Sequence, residues 1–224
     1  MRAKALCLSL ILAAVLCVCG CGFSRAPRPP VESYTLEYAP SAPQNLAPVS
    51  AVIRVDDFAV DPAYNTPQMV YSDAAYSRNT DPYRKWRANP SGMVTYFLAR
   101  DMSAAKLFAA ALPLASSMEY THALEGTVEE FYERDTKEGW FAVLSLSVTL
   151  VRANEPDVTK RVIFQKKYAQ QKQAGQRNPQ GVAEAMSRAM SEVSARILSD
   201  VYQALAKNAG QGDNAAQTEK SKKP

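Results

Sequence analysis

The sequence is poor in the residue types that most often build metal and thiol sites. It has one histidine, His122, and four cysteines, all of which lie at or before position 21. Beyond position 21 the chain therefore has no thiol, which excludes a disulfide, a cysteine nucleophile and a cysteine-ligated metal there. A lone histidine is a poor metal site, so we expect His122 to be a surface or edge residue.

Glycine is also scarce, and its nine copies form neither a glycine-rich phosphate loop nor a G-x-S-x-G elbow. Two acidic pairs occur, Asp56-Asp57 and Glu129-Glu130. Each pair falls on a predicted strand, where adjacent side chains point to opposite faces and cannot act on one substrate atom. We therefore expect no enzymatic activity and no bound cofactor.

Long apolar runs are missing except at the N-terminus. Arg2 and Lys4 precede an apolar stretch over 6–18, which is short for a membrane span and typical of a signal peptide. It ends in Val18-Cys19-Gly20-Cys21, the pattern of a bacterial lipobox. This predicts a signal peptide over 1–20 and a mature N-terminus at Cys21 that carries S-diacylglycerol and an N-acyl chain such as palmitate. A cut elsewhere or a plain membrane anchor are the alternatives.

Removal of the signal peptide lowers the formal charge from +4 to +2, which is too small and too scattered to indicate nucleic-acid binding. Residues 21–32 are rich in proline (FSRAPRPP) and are predicted to form an extended tether. One domain is expected over 33–208. The last segment, 209–224, is polar and of low complexity, and is predicted to be a disordered tail.

Alternating apolar and polar residues predict six strands, over 33–38, 51–58, 68–72, 119–134, 140–152 and 159–168. In the fourth strand the apolar residues lie at even positions, which places Glu125, Glu129 and Glu133 on the solvent face. A helix is predicted from Ser91, as N-cap, to about Phe108. A second is predicted from Asn178-Pro179 to about Lys207. Its Met186 and Met190 fit a core better than a lipid groove. These elements predict a single α+β domain, with a largely antiparallel or mixed sheet of about six strands packed against two helices.

The segment 73–90 is predicted to be a loop, and aromatic residues lie in and beside it. Tyr71, Tyr76, Tyr83 and Trp86 are not required by the predicted strands or helices, and tyrosine, tryptophan and arginine dominate binding energy at interfaces. We therefore predict that a partner binds Tyr71, Tyr83, Arg84, Trp86 and Arg87. The alternative is that Trp86 fills the end of the core above the first helix.

Several stretches together resemble the ABC-type transport auxiliary lipoprotein family. They follow the lipobox in this order: YTLEY (34–38), IRVDDF (53–58), NTPQMVYS (65–72), DPYRKWRANP (81–90), LEGTVEEF (124–131) and GVAEAMSRAM (181–190). The resemblance spans nearly the whole mature chain, although each motif is weak. Two residues depart from the pattern, namely Ser72, where a basic residue is expected, and Lys85, where arginine is expected.

This resemblance implies a non-catalytic lipoprotein of the outer membrane that faces the periplasm. It further implies partners, an MCE-domain protein and the permease and ATPase of an ABC transporter, and it leaves self-association open. The expected function is that of a periplasmic docking adaptor in envelope lipid transport. A lipid-binding carrier with a groove between helix and sheet is the alternative, and an envelope enzyme is a third, weaker reading.

Overall fold

A computed structural model describes residues 29–40, 43 and 45–220, and the side chains only as far as 207. The predicted lipidation site Cys21 and the signal peptide lie outside the described residues. The compact unit begins at Val31. In the part of the chain that is described, no helix has both the length and the apolar character needed to cross a bilayer.

Among the described residues this unit has nine strands and three α-helices: five strands precede the first helix, three lie between the first and second helices, and one precedes the last helix. The strands are β1 (Glu32–Tyr34), β2 (Val49–Val55), β3 (Ala59–Val60), β4 (Gln68–Ser72), β5 (Asn79–Trp86), β6 (Phe108–Pro113), β7 (His122–Asp135), β8 (Trp140–Arg152) and β9 (Val162–Gln173). The helices are α1 (Pro90–Ala105), α2 (Val158–Arg161) and α3 (Pro179–Lys220), and a 3-10 turn covers Pro62–Tyr64.

All nine strands belong to one mixed sheet that is organised around β7. One edge of β7 pairs antiparallel with β8, which pairs antiparallel with β9. Its other edge is shared by three short strands that follow one another along it in parallel orientation: β2, β3 and β4. β6 lies outside β2, whereas β5 and then β1 lie outside β4. The predicted α+β class, with a mixed sheet packed against helices, is thus confirmed.

The core lies between this sheet and the two long helices. Leu144, Leu146 and Leu150 of β8 are fully buried, as are Met190 and Ile197 of α3. Because every second residue of β8 and one stripe of α3 are large and apolar, the two elements bury a continuous surface. The predicted assignment of Met186 and Met190 to the core agrees with their complete burial.

A β-bulge in β7 changes which side chains face the core. Val128 lies opposite Leu146 and Glu130 lies opposite Ser145, so Glu129 is an extra residue of β7 that has no opposite residue on β8. Beyond the bulge the odd positions of β7 face the core, and Phe131 packs opposite Leu144. The prediction that Glu133 lies on the solvent face is therefore wrong: it is only 8% exposed and lies opposite Ala142, which is fully buried.

The two long helices, α1 and α3, each begin at an asparagine that precedes a proline. The side chain of Asn89 accepts a hydrogen bond from the N–H of Ser91 at 3.2 Å, so Asn89 and not Ser91 is the N-cap of α1. The side chain of Asn178 accepts one from the N–H of Gly181 at 2.7 Å, as predicted for the start of α3. The helix α3 continues to Lys220 rather than ending near Lys207, and no proline interrupts the added stretch.

Three further predictions of secondary structure need correction. Residues 79–86 form strand β5 rather than part of a loop, because they pair with both β4 and β1. The alanine-rich β6 was missed, and the last predicted strand extends to Gln173. The ordered pairing of β5 matters most, since it fixes the residues predicted to bind a partner.

Candidate functional site

Four of the five predicted partner-binding residues lie in β4 and β5, and Arg87 directly follows β5. Tyr83 is 40% exposed, Arg84 and Arg87 are exposed, and Tyr71 is half-buried. We use the term aromatic–basic surface for Tyr71, Tyr83, Arg84 and Arg87.

Trp86 does not belong to this surface. It is only 3% exposed, and its indole packs edge-on against the ring of Phe131, with 5.2 Å between the ring centroids. An indole buried in this way cannot anchor a partner on the folded domain. The alternative interpretation of Trp86, as a plug at the end of the core, describes its position.

A cleft lies beside the aromatic–basic surface, on the face of the sheet to which Glu133 points. Its volume is about 230 Å³. We call it the carboxyl cleft, and its lining residues are Met69, Tyr71, Asp81, Pro82, Arg84, Glu133, Asp135 and Trp140. Two residues of the predicted surface, Tyr71 and Arg84, therefore also line this cleft. Sequence reasoning missed Glu133 and Asp135, because their direction depends on the bulge at Glu129.

The acidic groups of the carboxyl cleft are unequally balanced by positive charge. Arg84 is paired with Asp81, with 3.0 Å between Nη1 and Oδ2, and the other oxygen of Asp81 accepts from the backbone N–H groups of Tyr83 and Arg84. No lysine, arginine, hydroxyl or backbone N–H among the described residues donates a hydrogen bond to Glu133. In addition, Oδ1 of Asp135 is buried without a hydrogen-bond partner in the part of the chain that is described.

Glu133 responds to this environment by holding its proton. Burial, followed by the hydrogen bond to Asp135 and the negative charge of Asp135, raises the pKa of Glu133 to about 8, while Arg84 opposes the shift. A neutral Glu133 can donate a hydrogen bond to the Asp135 carboxylate, which accounts for two acids lying side by side. At neutral pH Glu133 is therefore largely protonated.

On the other side of the sheet, the β4–β5 turn presents an exposed aromatic residue. Tyr76 is fully exposed and has a φ of 63°, a left-handed conformation that is uncommon for a bulky residue. The turn borders a second cleft of about 370 Å³, to which Tyr132 and Arg134 also contribute. Tyr132 stacks on Tyr64, and the Arg78 guanidinium lies 4.1 Å from the Tyr132 ring centroid. These stacked groups form a firm base for the exposed turn.

The chemistry of the described residues suits binding better than catalysis. Among them there is no group of three or more histidine, cysteine or carboxylate side chains arranged to hold a metal ion. His122 is half-buried at the start of β7, where burial and then the positive charge of Arg152 lower its pKa. Its ring contacts Thr121 at 2.8 Å rather than a nucleophile with an acidic partner.

The interface between helix and sheet is filled, which does not favour a lipid carrier. Val148, Val193 and Ile197 are fully buried where a groove for an acyl chain would have to lie. Five clefts among the described residues have volumes of about 230–410 Å³ and open to solvent at the surface, and each has charged residues in its lining. Pockets for small molecules are usually mostly apolar and bury most of the ligand.

The comparison with protein families shows to which family the chain belongs. The sequence matches the ABC-type transport auxiliary lipoprotein component over residues 34–198, from the end of β1 to the middle of α3. The chain belongs to this family. The family description names a lipoprotein that is an auxiliary component of ABC-type transport. No functionally curated protein is significantly similar to the chain in sequence.

Solved structures confirm the fold of this auxiliary lipoprotein. Protein XCC0632 from Xanthomonas campestris is similar with a TM-score of 0.71 and 14% identity, over 83% of this chain and 99% of that one. An uncharacterized protein has a TM-score of 0.58 and 14% identity, over 76% of this chain and 99% of its own. At these identities the likeness concerns the fold alone. The family resemblance inferred from the sequence is confirmed by the family match over residues 34–198.

Proposed function

We propose that this auxiliary lipoprotein is a non-catalytic docking adaptor of an envelope lipid transport system. Its lipid on Cys21 would hold it to the outer membrane facing the periplasm, where it would contact an MCE-domain protein of a system powered by an ABC permease and ATPase. The observation that carries the proposal is the aromatic–basic surface. Tyr83 and Arg84 are exposed on the ordered strand β5, whose last residue, Trp86, is packed in the core. Tyrosine and arginine are enriched at protein interfaces.

The placement of this surface supports docking by a rigid partner. Tyr83 and Arg84 belong to β5, which is held between β1 and β4 by backbone pairing. The N–H of Arg87 donates to the carbonyl of Tyr34 at 2.8 Å, which fixes the end of the strand. A preorganised surface loses little conformational entropy when a partner binds.

Pull-down with the MCE-domain protein tests the adaptor role. The combined Tyr83→Ala and Arg87→Ala variant should weaken binding by tenfold or more, roughly the effect of losing one or two interface hot spots. Tyr96→Ala is the matched control, because Tyr96 is a tyrosine of α1 that is 64% exposed and lies away from β5. Binding that is equal in all three proteins would contradict docking through this surface.

Membrane fractionation tests the anchoring. Cys21→Ala should move the protein from the membrane to the soluble fraction, since the acyl chains are the anchor that the sequence provides. The unmodified protein should sediment with the outer membrane in a density gradient. Retention of the Cys21→Ala variant on membranes after a high-salt wash would show another anchor. Phospholipid that co-purifies with the soluble Cys21→Ala variant, in an amount equimolar with the protein, would favour the carrier interpretation instead.

A further inference from the structure

The carboxyl cleft contains a buried acid that the docking proposal does not use. Glu133 is more than nine-tenths buried, yet its residue lines the cleft, and the hydrogen-bond partner of its carboxyl there is a second acid, Asp135, rather than a basic or N–H donor. Buried acids normally receive such donors, since an unpaired buried polar group costs free energy. An acid that is open to a cleft and lacks donors is suited to receive them from a ligand.

The charges around Glu133 indicate that the ligand carries a positive charge. Three acids line the cleft, Asp81, Glu133 and Asp135, against one base, Arg84. Arg84 already pairs with Asp81, and Oδ1 of Asp135 is buried without a partner in the described part of the chain. Glu133 and Asp135 therefore offer acceptors without a matching cation, and burial beside Asp135 keeps Glu133 protonated until a cation arrives.

The walls of the cleft specify the shape of the ligand. Tyr71 and Trp140 line it together with the apolar Met69 and Pro82. Aromatic faces attract organic cations, and apolar walls cover an alkyl stem. A volume of about 230 Å³ admits one such group with a short stem.

We propose that the carboxyl cleft binds one primary ammonium or guanidinium group on an alkyl stem, with N–H groups donating to Glu133 and Asp135 and the stem lying against Tyr71 and Trp140. The group belongs either to a free amine or to a basic side chain of the docking partner. The cation replaces the proton of Glu133. Binding therefore releases a proton and strengthens as the pH rises towards 8. Besides Asp135, the charged and titratable groups that line the cleft with Glu133 are Asp81 and Arg84 of β5 and Tyr71 of β4.

Calorimetric titration of the mature lipoprotein in a neutral detergent tests the proposal without any partner. The probes are n-butylammonium and propylguanidinium chlorides, with n-butanol and sodium chloride as controls, and the indole N–H signal of Trp140 reports on the site. Wild-type protein should bind both cations and neither control. Glu133→Gln and Asp135→Asn should each weaken binding by about tenfold or more, and wild-type affinity should rise by up to roughly tenfold per pH unit below pH 8.

Glu129→Gln is the matched variant, because Glu129 pairs with Lys167 and Ser145 rather than with groups of the cleft. It should bind as wild type does. Absence of cation binding, or equal binding by Glu133→Gln, would overturn the proposal, and either result would leave the Tyr83 and Arg87 pull-down unaffected. If binding is found, competition by propylguanidinium in the pull-down identifies a partner side chain as the source, and lack of competition identifies a free amine.

Discussion

The indole of Trp86 meets the ring of Phe131 edge-on, with 80° between the ring planes. This contact joins β5 to β7 across β4, and it replaces a predicted binding role with a structural one. Trp86→Ala should lower the free energy of unfolding by about 3–5 kcal/mol, since it leaves a large cavity in the core. Denaturant unfolding measures the effect. Tyr83→Ala, which truncates an exposed ring three residues away, should change stability by less than about 0.5 kcal/mol.

The close packing of Gly126 predicts opposite effects of alanine at two glycines. A Cβ on Gly126 would lie 2.6 Å from Cε1 of Phe58 and closer still to the carbonyl oxygen of Ser147. Gly126→Ala should therefore destabilise the domain by about 1–3 kcal/mol. At Gly92, in the first turn of α1, a Cβ meets no atom within 4 Å, and Gly92→Ala should stabilise by up to about 1 kcal/mol. Losses of similar size at both positions would contradict this account.

The raised pKa of Glu133 predicts a stability that falls with pH. The folded protein holds this proton up to about pH 8, whereas the unfolded chain releases it near pH 4.5, so the contribution is fully present below pH 4.5 and lost as the pH rises to 8. In buffers free of amines, thermal unfolding of wild type should show a lower midpoint at pH 8.5 than at pH 5.5. Glu133→Gln, which cannot ionise, should remove most of this difference. Glu129→Gln should retain it, because the Lys167 ion pair lowers the pKa of Glu129.

The end of the chain should contribute little to stability. Residues 209–224 contain no aromatic residue and no leucine, isoleucine, valine or methionine, so they have little apolar surface to bury. Deletion of 209–224 should leave the thermal midpoint within a few degrees of that of the full chain. Ile197→Ala, in the fully buried part of α3, should by contrast cost about 2–4 kcal/mol. A large loss on deletion would show that the end of α3 packs against the domain.

Regular patterns in the sequence predicted the regular parts of the fold. Strict alternation placed β8 at Trp140–Arg152, and Asn178-Pro179 located the start of α3, because these signals are local. The polar strand β5, which contains Pro82, and the short β6 have no such pattern. They are strands because neighbours pair with their backbones, and pairing across distant sequence is not visible locally.

The candidate site was predictable only in part, for the same reason. Tyr71 and Arg84 were predicted as binding residues from their residue types, and both line the carboxyl cleft. Glu133 and Asp135 could not be assigned to it, because one unpaired residue at Glu129 reverses the face of every later position in β7. Both Phe131 and Tyr132 are apolar enough to suit the core, so the sequence around the bulge does not show the reversal.

The three short strands along one edge of β7 also govern the order in which the domain can assemble. A ribosome makes β2, β3 and β4 before β7, and Ile53 must wait for His122, its neighbour in the sheet. β1, β4 and β5 can pair with one another early, but β2 and β3 cannot take their places beside β7 until it has been made. Folding dominated by such distant contacts is slow and exposes surfaces that aggregate. This sheet order favours a chain that stays unfolded until the ribosome has released all of it.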